Sequence, residues 1–295
     1  MGWKSLLIKK ALVNRIPFQD KIRAFKRRIL GYPPDIANIK FTIDNYLELK
    51  EELANVGLGF NDSVVMEIGS GWFPTIPLLA LTDGGAKKII ASDLTPHMDE
   101  VTFNETINCL RKLIPENNAL TEIKTMSTLP IEYKAPLNID DIPDSSIDII
   151  LSRTVLEHIP EEELILFLKE LRPKLSANGV MIHLIDNSDH FEHKDKTISR
   201  VNFLTWSEKK HSLINTLIKD GENRLRHHQY KAIFKDAGYQ LVREKAEKHQ
   251  GTLDQLPNME LAEPFRSMTH EEIAILTSIY IIKPNDVGNC RMLGG

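Results

Sequence analysis

Residues 64 to 71 read Val-Val-Met-Glu-Ile-Gly-Ser-Gly, and the next apolar run, from Lys88, closes on Asp93. A hydrophobic strand that runs into Gly69-x-Gly71 lets the backbone pass beneath a ligand without Cβ clashes. An acidic residue roughly 20 positions on is placed to hold a ribose diol. Together they predict a βαβ unit with an adenosine-containing ligand at its strand ends. Position 74 discriminates among such ligands, because a dinucleotide fingerprint needs glycine there and this chain has Pro74. A pyrophosphate would lose its helix N-terminal amide and the close helix approach, whereas a ligand without phosphate loses little.

The alternation continues along the chain. Apolar runs predict strands at 64–68, 88–92, 121–126 or 131–136, 147–151, 179–185 and 239–245. Between them, helices are expected from about Pro74 to Leu81, Asp99 to Leu113, 160 to 175 and Arg226 to Ala237, with a further helix from Asp44 to Asn55 ahead of the core. In Lys174-Leu-Ser-Ala-Asn-Gly179 the glycine is expected to terminate the helix before the fifth strand. Strands alternating with helices predict an α/β, Rossmann-like, doubly wound sheet. Two segments fall outside this alternation: a polar, histidine-rich insertion from Ser188 to Glu222, expected to form a lid over the acceptor side, and a tail from Val287.

In its motifs the chain resembles class I S-adenosylmethionine-dependent methyltransferases. Glu67-Ile-Gly-Ser-Gly71 matches their first motif, Asp93 their second, and Ile142 to Ile159 the stretch around their fourth strand. The resemblance spans roughly residues 60 to 245, with a closing strand near 274–283. It implies a seven-stranded, mostly parallel sheet and S-adenosyl-L-methionine as cofactor. It also implies residue roles: Glu67 anchors the methionine end, Gly69, Ser70 and Gly71 pass beneath it, Asp93 holds the ribose hydroxyls and Leu94 flanks the adenine. Asn138 and Ile139 meet the adenine edge, and Ser152 and Arg153 line the pocket. One departure is Phe73, which stands where the family usually continues with a third glycine.

Charge is unevenly placed. Residues 1 to 40 hold ten Lys or Arg against Asp20 and Asp35, a balance of +8, while the remainder carries −12, for a total of −4. Phe18, Ile22, Phe25 and Ile29 recur on one helical face, with Lys21, Arg23, Lys26, Arg27 and Arg28 off it. Residues 1–60 are accordingly expected to form a basic helical cap. Its apolar stripe either packs on the catalytic domain or makes peripheral contact with an anionic membrane. Nucleic acid is not expected as a partner, since no aromatic interleaves the charged face and the rest of the chain repels phosphate. Only Cys109 and Cys290 occur, without metal-site spacing, and no apolar run approaches the roughly 20 residues of a membrane span. A cytoplasmic location is expected.

Chemistry is the least marked. A sulfonium methyl is already activated, so alignment and removal of an acceptor proton suffice. His158 and His190 are the candidate general bases, with His183, Asp186, Asp189 and His193 nearby in sequence. A Glu-x-x-Glu-His pattern binds divalent metal in ubiquinone-pathway and small-RNA methyltransferases, but here Thr154 stands at its first carboxylate. No metal is therefore expected, and His158 is expected to cap or pack against the following helix. Gly71 to Pro77 and Asn223 to Arg226 are similar to segments of bacterial glycan-pathway methyltransferases, which implies O-methylation of a sugar or other small-molecule hydroxyl. The alternatives are a non-catalytic binding or scaffold protein that keeps the fold, motivated by Phe73, and a nicotinamide-dependent oxidoreductase, disfavoured by Pro74.

Overall fold

The computed structural model describes residues 2–15, 34–219 and 221–285. In chain order its elements are α1 (Trp3–Val13), α2 (Ile36–Ala54), β1 (Val64–Ile68), α3 (Thr75–Thr82), β2 (Lys88–Ser92), α4 (Glu100–Leu113), α5 (Ala119–Glu122), β3 (Ile131–Lys134), β4 (Ile147–Arg153), α6 (Glu161–Leu171), β5 (Leu175–Asp186), α7 (Glu208–Ile218), α8 (His227–Asp236), β6 (Tyr239–Lys248), α9 (Gln250–Gln255), α10 (His270–Ile273) and β7 (Ile275–Pro284). The expected basic stripe at 18–29 and the tail from 287 lie outside the described residues. No helix among the described residues is long and apolar enough to cross a membrane.

The seven strands form one sheet in the order β3-β2-β1-β4-β5-β7-β6. It is the doubly wound, Rossmann-like architecture the alternation predicts. All neighbours are parallel except β7, which runs antiparallel to β5 and β6. Strand order reverses between β1 and β4, and the crevice beyond the carboxyl ends of those two strands is where open α/β sheets bind ligands. Ile39, Tyr46, Leu49 and Leu53 of α2, with α3 and α4, bury one face of the sheet. Leu164, Leu168 and Leu171 of α6, with Tyr230, Ile233 and Phe234 of α8, bury the other. Burying each such side chain contributes about 1.5–3 kcal/mol.

Local chemistry sets the helix starts. In α4, Asp99 accepts from Thr102 N–H at 2.9 Å while Thr102 Oγ1 accepts from Asp99 N–H at 3.0 Å, a reciprocal cap. Helix α2 begins at Ile36 rather than Asp44, because Asp35 caps it through Ala37 N–H at 3.0 Å and Ile39 and Ile43 extend the buried stripe. Two further expectations are corrected. Helix α6 ends at Leu171, and Leu175 already pairs with Ile147 of β4, so Gly179 lies within β5 and not at a helix end. Register slips there, and a Cβ at 179 would stand 3.0 Å from Ile147 O, which gives the position to glycine.

The segment 188–222 does not lie loosely over the sheet. Phe191, Val201, Phe203, Leu204, Trp206, Ile214 and Ile218 join Leu256, Phe265 and Ile273 in a third apolar cluster, against which Trp3, Leu6 and Leu7 of α1 pack. Trp3 stacks on Trp206 with ring centroids 5.3 Å apart. Its backbone N–H donates to Asp195 at 2.6 Å. The described part of the N-terminal region thus divides its packing: α1 rests on the insertion, α2 on the sheet.

Candidate functional site

At the end of β1 the backbone turns sharply, with Gly69 at φ +76° and Gly71 at φ +63°, conformations that glycine adopts without strain. Gly69 and Ser70 N–H both donate to Ser92 O of β2, at 2.8 and 2.9 Å, which fastens the loop to the neighbouring strand end. A Cβ on Gly69 would stand 2.5 Å from Val155 Cγ2, so the loop also lies directly on the segment after β4. A Cβ on Gly71 would meet nothing within 4 Å and would point into open space. Phe73 turns down into the core. Trp72 stacks on His97, with centroids 4.5 Å apart. Trp72 and Phe73 therefore brace the loop on two sides.

Asp93, half-buried, accepts from Gly71 N–H at 2.9 Å through Oδ2 and from Thr95 N–H at 3.3 Å through Oδ1. A carboxylate offers about four acceptor directions, so capacity for a diol remains. Beside it Leu94 is 84 % exposed, an apolar surface without a protein neighbour to cover it. Glu67 is buried, and Oε2 has no hydrogen-bond partner. Burial is the dominant influence on its carboxyl and pushes it up to about 7. Ser70 Oγ and Thr75 Oγ1 are likewise buried without a partner. Of the eight such atoms among the described residues, three thus surround the glycine loop.

Arg153, at the end of β4, lies over the Phe41 ring and reaches Asn45 at 3.4 Å. Burial lowers its pKa, against the opposing pull of the Glu67 and Glu157 charges. Ser152 does not present its side chain to the crevice: it is fully buried, its Oγ 2.8 Å from His183 Nδ1 of β5. Asn138 caps a short turn, with Oδ1 accepting from Asp140 N–H at 3.4 Å and Nδ2 donating to Asp141 at 3.1 Å. The Ile139 side chain packs on the sheet face that α6 and α8 cover.

His158 and His190 are brought together, their ring centroids 4.9 Å apart, although 31 residues separate them in sequence. The reason is topological. β4 and β5 are parallel neighbours, and each histidine lies a few residues past its strand's carboxyl end. His183 is completely buried against Ser152, and burial lowers its pKa to about 3. Asp186 lies 3.3 Å from His193 and accepts from Ser188 Oγ at 2.6 Å. Burial would raise Asp186, but His193, Ser188 and His190 outweigh it and hold the carboxyl below its usual range. Asp189 is taken up inside the insertion, accepting from Phe191 N–H at 2.8 Å and Asn202 at 3.2 Å, while burial lifts it to about 6. Glu157 is the residue that motif spacing undervalued: it is buried, Oε2 has no partner, and burial holds its carboxyl well above the usual range.

No protein-family model matches the chain, and no curated protein matches it. Solved structures similar to it include a Leishmania major S-adenosylmethionine-dependent methyltransferase, at 12% identity over 96% of this chain and 83% of that one, TM-score 0.48. A geranyl diphosphate methyltransferase in complex with geranyl diphosphate and sinefungin gives 11% identity over 81% and 76%, TM-score 0.47. Likeness at this level leaves the chemistry to be read from the chain's own residues.

Asn223 to Arg226, which suggested a glycan acceptor, form a structural clamp. Asn223 Nδ2 donates to Leu156 O and Ile159 O, both at 2.9 Å. Arg224 bonds Phe203 O at 3.3 Å and pairs with Glu208. Arg226 is fully buried and donates to Asn187 O at 2.6 Å and to Ile273 O and Ile275 O, both at 2.9 Å.

Proposed function

We propose that the chain is an S-adenosylmethionine-dependent methyltransferase acting on the hydroxyl of a small molecule. The observation that carries this reading is the convergence of unmet polar atoms on the glycine loop, with Asp93 opposite. Buried polar groups are ordinarily satisfied, and a cluster of exceptions beside a left-handed glycine turn is what a bound polar ligand would complete. Glu67 receives the ammonium of the methionine moiety, Gly69 to Gly71 run beneath it, Asp93 accepts from the ribose hydroxyls, and Leu94 covers the adenine. A pyrophosphate has no counterpart in this arrangement, since Pro74 precedes α3 without an N–H to offer.

The acceptor approaches beyond β4 and β5, where His158 and His190 stand. Its oxygen attacks the methyl carbon, the C–S bond breaks with the electron pair left on sulfur, and the hydroxyl proton leaves toward this imidazole cluster. Sugar hydroxyls belong to the acceptor class. The similarity of Gly71 to Pro77 to glycan-pathway enzymes points to them, whereas Asn223 to Arg226 no longer do. Titration calorimetry with S-adenosylmethionine tests the reading. The wild-type protein should bind, and Asp93→Ala should weaken binding by about 1.5–3 kcal/mol, roughly ten- to a hundredfold. Absence of binding, or binding indifferent to Asp93, would overturn it.

A further inference from the structure

Glu157, His158 and His190 offer donor atoms that all lie within 4.8 Å of one another. Glu157 is 2 % exposed, and its Oε2 meets no hydrogen-bond donor. Its Oε1 receives Asp186 N–H at 3.4 Å. Arg153 acts on Glu157 through charge, while its own hydrogen bond goes to Asn45. A buried carboxyl without a partner keeps its proton unless a cation arrives to stabilise the ionised form. Two imidazoles, of His158 and His190, offer nitrogens within 4.8 Å of its carboxyl.

We propose that Glu157, His158 and His190 form a binding site for a divalent transition-metal ion. Two imidazoles and one carboxylate suit borderline ions such as zinc, iron, cobalt or manganese, and a three-residue set leaves coordination positions open for water or an acceptor oxygen. Bringing the three donors to the roughly 2.0–2.2 Å of such bonds asks each to move inward by about 1 Å, which half-buried imidazole rings can supply by rotation. Asp186 is 4.0 Å from His190 Nε2 and Glu222 3.9 Å from His190 Nδ1, so whichever ring nitrogen binds the ion, the other faces a carboxylate that can orient the ring. The third donor comes from the end of β5, so sequence spacing along β4 alone gives no hint of it.

Binding of the ion does not depend on methyl transfer. Where both operate, the ion polarises the acceptor hydroxyl and His193, paired with Asp186, is the imidazole left to take its proton. The test titrates Co2+ into the untagged, chelator-stripped chain without S-adenosylmethionine, following calorimetry and the visible d–d absorption. One ion per chain is expected, weakened at least tenfold by His190→Ala and by Glu157→Gln, and by His158→Gln as the variant least disturbing to the core. Circular dichroism confirms that each variant is folded. Absence of saturable binding in the wild type, or affinity unchanged in the folded His158 and His190 variants, would overturn the site. The cofactor titration reads separately, so loss of one result leaves the other standing.

Discussion

At the end of β1, Glu67, Ser70 and Thr75 each bury an oxygen that no protein group meets, whereas beyond β5 the buried groups of Asp189 and Arg224 are met by several partners each. Both regions are polar in sequence and both border the same crevice. The first has left its polar atoms open and braces its loop with two aromatics. The second ties most of its buried polar groups to its own backbone, leaving Asn187 Oδ1 and Arg226 Nε open, and adds an apolar cluster around Trp206. The contrast separates residues that wait for a ligand from residues that hold the chain, which composition cannot do.

The largest effect is expected from Trp206→Ala. Trp206 is 3 % exposed, stacks on Trp3 and has Lys210 4.9 Å above its ring. Truncation should cost about 3–5 kcal/mol in chemical denaturation. Cofactor affinity of the protein that remains folded should stay within about twofold, because nothing at the glycine loop touches this cluster. A large loss of affinity at temperatures where the variant is folded would erase the distinction between the two regions.

A second prediction concerns pH. Folded Glu67 ionises near 7 against an ordinary value of 4.5. The folded state therefore keeps this proton longer than the unfolded chain, and the stability it contributes is complete below 4.5 and lost as pH rises through 7. The difference is on the order of 3 kcal/mol. Melting curves of wild type and Glu67→Gln should diverge across that window, the variant losing less; parallel curves would remove Glu67 from the group of strained, ligand-awaiting residues. Cofactor affinity of the wild type should climb over the same range, as the carboxylate becomes available to an ammonium, and the climb should be absent in Glu67→Gln.

The smallest effect sharpens the geometry of the loop. Gly69→Ala places a Cβ 2.5 Å from Val155 Cγ2 at φ +76°, for an expected cost of about 1–3 kcal/mol. Adding Val155→Ala relieves the contact and leaves the backbone strain, so the double variant should recover part of the loss. Full recovery, or none, would show that only one of the two terms acts.

The architecture was legible because its signals are local. Val64 to Gly71, Lys88 to Asp93 and the amphipathic stripes of α4, α6 and α8 each state their own conformation, and parallel strands leave few topologies. The strand near residue 131 was ambiguous because its four residues are all half-buried, while 119–122 form a single helical turn. Around the candidate site, the glycine turn at Gly69 and Gly71 and the strand-end positions of Glu67 and Asp93 were readable from spacing. Ser152 was misjudged because strand-end position does not say where a hydroxyl finds its partner, and His183 lies on the adjacent strand. The meeting of His158 and His190 and the burial of Glu157 depend on which strands are neighbours, a fact that exists only once the sheet is assembled.

Arg226 has one further consequence. Its guanidinium grips the carbonyl of Asn187, the residue immediately before the insertion, and Asn223, just past the other end, is tied to the backbone beyond β4. Both roots of the 188–222 segment are thereby anchored to the sheet. A swing of the whole segment as one door is not open to it. Movement that admits an acceptor is expected between those two posts and not at them.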